Sequence, residues 1–139
     1  MTRKELKAFI GLHRVVNELD GIVGKIHGEY ELTIGQFAVL EALYHKGDLC
    51  VGDLKDKILS STGTIGVIIN NLIKRDLIVK YQDEEDKRRF FLSLTPKGYS
   101  LIEKVYPVNE KAILEKMSVL SDEELDNLIE ILKKLDSRR

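Results

Sequence analysis

A mainly α-helical chain carrying one small β-hairpin, α+β by class, is what the sequence predicts, on three observations. Apolar residues recur at helical spacing over most of the 139 residues, and only two prolines, Pro96 and Pro107, interrupt them. One stretch alternates instead, from Leu77 to Gln82 and again from Arg89 to Leu94, around the polar run Asp83-Glu84-Glu85-Asp86-Lys87-Arg88. Just before that hairpin, one face of a helix carries Gly, Thr, Val and Asn where a solvated face is typically rich in Lys and Glu.

Residues 2–30 form the first helix. Its seam, Phe9, Leu12, Val16, Leu19, Val23, Ile26 and Tyr30, is spaced alternately three and four, and Leu6, Ile10 and Ile22 widen it. A helix this apolar on two sides must pack against more than its own small domain, so a subunit interface is expected. Thr33-Ile34-Gly35-Gln36 reads as a capping box opening a helix with Phe37, Leu40 and Leu43, which ends before Gly47-Asp48. Leu49-Cys50-Val51 is a short apolar extended piece, and Gly52 to Ile58 a brief helix with Leu54 and Ile58 inward. After the turn Leu59-Ser60, with Ser60 or Ser61 as N-cap, Ile65, Ile68, Ile69 and Leu72 line one stripe of the next helix. The opposite face is centred on Gly63, Val67, Asn70 and Lys74, flanked by Thr64 and Asn71. Asp76 stands where a glycine would normally close that helix.

In the second strand Phe90, Leu92 and Leu94 should face one side, and Arg89, Phe91 and Ser93 the other. Thr95 caps the following helix with Pro96 at its first position, and Leu101, Ile102, Val105 and Tyr106 continue it. Pro107 has no N–H to donate, which predicts a kink or break before the pattern resumes at Ala112, Ile113, Leu114 and Met117. Leu120 to Leu125 combines a capping box with a hydrophobic staple. The last helix repeats Leu125, Leu128, Leu132 and Leu135, with Ile129 and Ile131 broadening its apolar face. Both ends of the chain are thus helices with uncovered apolar seams.

Helix, turn, helix, basic-tipped hairpin, helix is the layout of a winged helix-turn-helix, in which the first helix of the pair positions and the second reads. Its residues resemble the MarR family of bacterial transcription regulators. Asp86-Lys87-Arg88-Arg89 followed by Leu94-Thr95-Pro96-Lys97-Gly98 is similar to a D-x-R wing tip running into L-T-x-x-G. Ser61-Thr62-Gly63-Thr64-Ile65 is similar to the start of that family's recognition helices, and the helix order agrees over nearly the whole chain. The resemblance implies one domain over 1–139, with a winged core at about 33–97 and dimerisation helices at about 2–30 and 98–137. It implies a homodimeric, sequence-specific DNA-binding regulator, a repressor, acting on an inverted-repeat double-stranded operator. A small apolar or phenolic effector, held between the dimerisation helices and the reading head, would release it. The implied DNA-binding residues are Ser61, Thr62, Gly63, Thr64, Val67, Asn70, Asn71 and Lys74 on the helix, and Asp86, Lys87, Arg88 and Arg89 on the wing. In that scheme Asp86 orients Arg88 into a narrow minor groove, while Lys87 and Arg89 meet phosphates. Gly66 and Val67 stand where larger polar residues are common in the family, and Asp76 replaces its usual glycine.

Composition bounds the alternatives. At 43% apolar and 32% charged the chain reads as a soluble globular protein. No window approaches a membrane span and no signal-peptide core is visible, so a cytoplasmic location without a membrane partner is expected. The net charge is −1, yet residues 51–99 carry nine Lys/Arg against seven Asp/Glu, so any field for DNA is local. No G-x-S-x-G, P-loop, H-E-x-x-H or glycine-rich dinucleotide turn occurs, and the reading is of a non-enzyme without a cofactor. Cys50, between Leu49 and Val51, is expected to be a buried structural thiol, its apolar setting raising its pKa. Similar regulators that sense oxidants use a cysteine in the first helix, which here has none. Glu41 and His45 could share a metal at i, i+4, but zinc needs four convergent ligands and His13 and His27 lie on another helix. Two other readings stand beside the main one. A winged-helix protein-interaction module without DNA binding is favoured by the near-neutral charge and by Gly66 and Val67; a metal-responsive regulator is the other. Gly63 and Gly66 each cost a helix roughly 1 kcal/mol relative to alanine. Close approach to DNA, or to a neighbouring helix, would offset that.

Overall fold

In the computed structural model, which describes residues 3–58 and 64–137, the helical periodicities become α1 (Lys4–Glu29), α2 (Ile34–Lys46), α3 (Val51–Lys57), α4 (Ile65–Lys74), α5 (Pro96–Met117) and α6 (Asp122–Leu135). The strands are β1 (Leu49–Cys50), β2 (Ile78–Gln82) and β3 (Phe90–Leu94). The capping box of α2 closes both ways: Gln36 N donates to Thr33 Oγ1 and Thr33 N to Gln36 Oε1, each at 3.1 Å. The piece before α3 does more than expected. Leu49 and Cys50 pair antiparallel with Leu92 and Phe91, making a three-stranded sheet in the order β1-β3-β2. β2 and β3 pair from Ile78↔Leu94 to Gln82↔Phe90. α3 starts one residue earlier than expected because Cys50 is its N-cap, Sγ accepting from the Asp53 amide at 3.4 Å.

Leu40, Leu54, Leu72, Leu77, Ile78, Leu92 and Ile102 are fully buried where α2, α3, α4, the sheet and α5 meet. α1 and α4 both end in a six-residue C-terminal loop. Leu32 N donates to His27 O and Glu31 N to Gly28 O; likewise Leu77 N donates to Leu72 O and Asp76 N to Ile73 O. The residue in the left-handed position is Glu31 in one and Asp76 in the other, both at φ 59°, so aspartate does take the place expected of glycine. Gly98 cannot be replaced so easily: a Cβ there would run into the Leu77 carbonyl, which lets α5 start directly against β2.

Two expectations change. α5 runs unbroken through Pro107. Pro107 lies on the exposed face and removes a single backbone hydrogen bond, while Ile102, Val105 and Asn109 on the other face are buried on both sides of it. Phe90 shares the parity of Leu92 and Leu94 but projects past the core at the outer end of the wing and stays exposed. The cap and turn expected at Leu59, Ser60 and Ser61 lie outside the described residues, as do Thr62 and Gly63; α4 begins with Thr64 at its N-cap.

The two ends of the chain leave apolar surface open. On α1 Leu6, Phe9, Ile10, Val15 and Val16 are exposed, Phe9 at 58%, and on α5 Leu114 is exposed at 62%. α6 buries none of its residues, although Ser121 caps it with a complete capping box. Among the described residues, no helix is long and apolar enough to cross a membrane.

Candidate nucleic-acid interface

The two faces of α4 divide as its sequence pattern requires. Ile65, Ile69 and Leu72 enter the core, and Thr64, Gly66, Val67, Asn70, Asn71 and Lys74 face outward. Val67 is 61% exposed, an apolar group held out on the presented face. Around it the amides of Asn70 and Asn71 can donate and accept together, as bidentate reading of an adenine edge requires, and the valine suits a thymine methyl. Gly66 settles one of the alternatives for its presence. Among the described residues a Cβ there would meet no atom within 4 Å, so packing against a described neighbouring helix is not what keeps it a glycine.

In the wing, the turn between β2 and β3 is locked from within. Asp83 N donates to Arg89 O and Arg89 N to Asp86 O, each at 2.9 Å, and Gln82 Nε2 donates to Lys87 O at 2.7 Å. Asp86 Oδ1 accepts from the Arg88 amide at 3.0 Å and from Arg88 Nε at 3.2 Å. These two bonds hold the Asp86 carboxyl below its ordinary pKa, so it is ionised wherever the guanidinium needs it. Arg88 itself is 92% exposed: the carboxylate fixes the base of a side chain whose end is free to enter a groove. Arg89 behaves differently. Its guanidinium lies 5.3 Å from the Phe91 ring centre, and a hydrogen bond to Cys50 is the largest influence raising its pKa. Cys50 is buried as expected, but its neighbours are the α3 amide end and this arginine as well as apolar side chains. Lys80 stands 4.7 Å over Phe90, and Tyr81 stacks on Phe91 while donating to Asp48 Oδ2 at 2.7 Å.

Local charge is therefore not all available to a ligand. Arg75 Nη1 donates to the Glu31 carbonyl at 2.6 Å, and Lys97 Nζ to the Arg75 carbonyl at 3.2 Å, so both close helix ends. Lys74, Lys80, Lys87, Arg88 and Arg89 remain exposed.

A second feature lies among the helices that flank the winged core. A cavity of about 820 Å³ opens between α1, α2, α5 and the end of α3, lined mainly by apolar side chains such as Val23, Phe37, Ile58 and Ile113. His27 and Asn109 line it too. Both are buried, and His27 Nε2 meets Asn109 Oδ1 at 2.7 Å across 82 residues of sequence. The His27 ring stacks on Phe37, with centroids 4.1 Å apart. Burial pulls the His27 pKa below the ordinary 6.5, the Asn109 bond opposing. Glu41 also lines the cavity, and burial raises its pKa against the pull of His45. Among the described residues no group of three or more His, Cys, Asp or Glu side chains is placed to hold a metal. Sequence reasoning assigned His27 and Asn109 no role. The available signal was a polar residue four positions after Val23 on an otherwise apolar seam.

A helix presenting amides and small groups outward, followed by a charged wing, defines a DNA-binding winged-helix transcription regulator. Comparison with known proteins narrows the class. A family model described as transcriptional regulator SarA/Rot matches residues 21–105. The HTH-type transcriptional regulator MhqR of Bacillus subtilis is 36% identical over 135 residues, covering 97% of this chain and 93% of the relative. The structure of AbsC, a MarR family transcriptional regulator from Streptomyces coelicolor, superposes with a TM-score of 0.89 at 22% identity, covering 97% of this chain and 93% of that one. Bordetella bronchiseptica BpsR, solved in a study of how 6-hydroxynicotinic acid regulates its DNA binding, gives 0.81 at 26% identity, covering 93% of this chain and 98% of that one. The chain belongs to the SarA/Rot family of MarR-type transcriptional regulators. It is a regulator of transcription and not an enzyme.

Proposed function

We propose that two copies of this chain pair through α1, α5 and α6 into a cytoplasmic homodimeric repressor of inverted-repeat operators. In this reading residues at about 33–97 are the reading head, and those at about 2–30 and 98–137 hold the dimer. Each α4 enters a major groove with Thr64, Val67, Asn70, Asn71 and Lys74, together with Ser61, Thr62 and Gly63 from the segment before it. Each wing places Arg88, fixed by Asp86, in the adjacent minor groove, with Lys87 and Arg89 toward phosphates. Half-site centres then lie about 10 base pairs, or 34–36 Å, apart. The observation that carries the reading is the Asp86–Arg88 pair, which fixes the base of a guanidinium side chain that is 92% exposed at the wing tip.

The cavity between α1, α2 and α5 is the seat of a small apolar or phenolic effector that releases the dimer from DNA. Its size and apolar lining suit such a molecule, and BpsR, similar over most of this chain, is regulated in its DNA binding by 6-hydroxynicotinic acid. Fluorescence anisotropy with labelled duplexes from the chain's own promoter tests the reading. Saturable binding at physiological salt, competed poorly by unrelated duplex, is expected. Indifference to duplex sequence, or no binding, would leave a protein-interaction module, the reading that the exposed Val67 and the net charge of −1 favour.

A further inference from the structure

One face of the wing changes character halfway along. Ile78 and Leu92 on that face are buried in the core, and Leu94 is half-buried. Farther out the same face carries Lys80, Gln82 and Phe90, with Gln82↔Phe90 the outermost pair of the ladder. Phe90 is 37% exposed, and Lys80 stands diagonal to it with Nζ 4.7 Å over the ring centre. Among the described residues Lys80 makes no ion pair. The acids of the turn are occupied within it: Asp83 Oδ1 accepts from the Glu85 amide at 3.2 Å, and Asp86 holds Arg88. At the open end of a two-stranded ribbon the core is out of reach, so a large apolar ring there contributes little to the fold. It lies close to Arg88 instead. Two residues separate them, no more than about 7 Å of chain, and the bonds from Asp83 N to Arg89 O and from Arg89 N to Asp86 O hold that stretch in one shape.

We propose that Phe90 and Lys80 are a second DNA contact of the wing, and the one that reads groove shape. The Phe90 ring lies against the deoxyribose edges that wall the minor groove entered by Arg88, and the Lys80 ammonium meets a phosphate of the same strand. The assignment rests on reading the wing as the minor-groove arm, and it adds two residues and a role to that arm. The wall of the groove alternates apolar sugar with anionic phosphate, and a ring with an ammonium over it offers the matching pair. A sugar contact carries no base identity. It does carry geometry. Arg88 on the floor of the groove and Phe90 on its wall, joined by a turn bonded from within, impose one spacing, so a groove of another width satisfies only one of them. The minor groove is about 6 Å wide in ordinary duplex and narrower in A-tracts. A narrow groove brings the wall to a ring that stands so near Arg88, which makes the pair a selector of A·T-rich flanks.

Duplexes enriched by the full chain from a random library supply the probe, and anisotropy across a salt series reads the contact. Phe90→Ala is expected to weaken binding about tenfold, the order of effect for one aromatic side chain left in water. Its salt slope should be unchanged, because no charge is lost. Lys80→Met should instead flatten the slope by roughly one unit on each subunit. Together the two substitutions should cost less than the product of their separate effects, since the ring places the ammonium. Putting G·C for A·T beside each half-site should weaken the native chain more than Phe90→Ala. Native affinity in Phe90→Ala would overturn the contact. So would a loss that comes with a flattened slope, the result if the ring only props up the turn that carries Arg88. An equal G·C penalty in both chains would remove the role in reading shape. Those three results leave the wing a DNA-binding arm. A chain that enriches no duplex at all would end that reading, and the contact with it.

Discussion

Neutral, buried and bonded through one nitrogen, His27 makes the chain sensitive to acid. Its folded pKa lies below the ordinary 6.5, so the unfolded chain binds more protons there over the interval between the two values. The stability this preserves is fully present above pH 6.5 and is lost as pH falls through the folded value. Glu41 acts in the opposite sense, since burial raises its pKa above 4.5 and its ionised form is the strained one. Urea midpoints between pH 7.5 and 5 are expected to fall for the native chain and to fall less for His27→Phe. An identical fall in both would move the acid sensitivity elsewhere. Position by position, residues with a fixed local job were readable in advance. Thr33, Thr95 and Ser121 cap helices through hydrogen bonds to the amide three residues on. The His27–Asn109 pair was not readable, because its partners lie 82 residues apart and neither spacing nor propensity records a long-range side-chain bond. Arg75 is a similar case: counted among the basic residues near the wing, it spends its guanidinium on the end of α1.

Among the elements, α4 poses a separable question about Gly66. Nothing among the described residues needs a glycine there, so Gly66→Ala is expected to stabilise the chain by about 1 kcal/mol, seen as a higher denaturation midpoint. If DNA backbone or bases come close at this point, the same change should weaken operator binding. A stabilised variant with unchanged DNA affinity would show that α4 makes no close approach there. The wing and the helix should also differ in how they respond to salt. Arg88→Ala removes a charge contact, so it should lower affinity and flatten the salt dependence by roughly one unit per contact on each subunit. Asn70→Ala should cost about 1–3 kcal/mol at particular base pairs and leave the slope nearly unchanged. Salt-dependent anisotropy on matched duplexes distinguishes these. An intact slope in Arg88→Ala would make the wing a solvated turn. Element type was legible wherever the apolar period was long, as in α1, α5 and α6. The errors came where tertiary packing overrode a local rule. Pro107 sits in an unbroken helix because the core grips both sides of it; Leu49-Cys50, read as extended, is extended, and only its pairing with β3 went unread.

For the molecule as a whole, an amphipathic last helix that buries none of its residues leaves an apolar face open, and in the proposed dimer a second copy covers it. Leu128→Asp with Leu132→Asp is therefore expected to give an aggregated or unfolded protein, and sedimentation of the native chain to give a dimer at micromolar concentration. A well-folded monomer in either case would contradict the pairing. One short bond links this assembly to the reading head. Glu31, whose carbonyl holds Arg75 at the end of α4, follows His27 by four residues, in the loop whose hydrogen bonds to His27 and Gly28 close the last turn of α1. In the proposed regulator this end of α1 works as a tiller. An occupant that tilts the last turn of α1 would swing Arg75, and the end of α4 it caps, with it. Cutting the tether with Arg75→Met should leave effector binding in the cavity in place while blunting its effect on operator affinity, a loss of steering rather than of sensing.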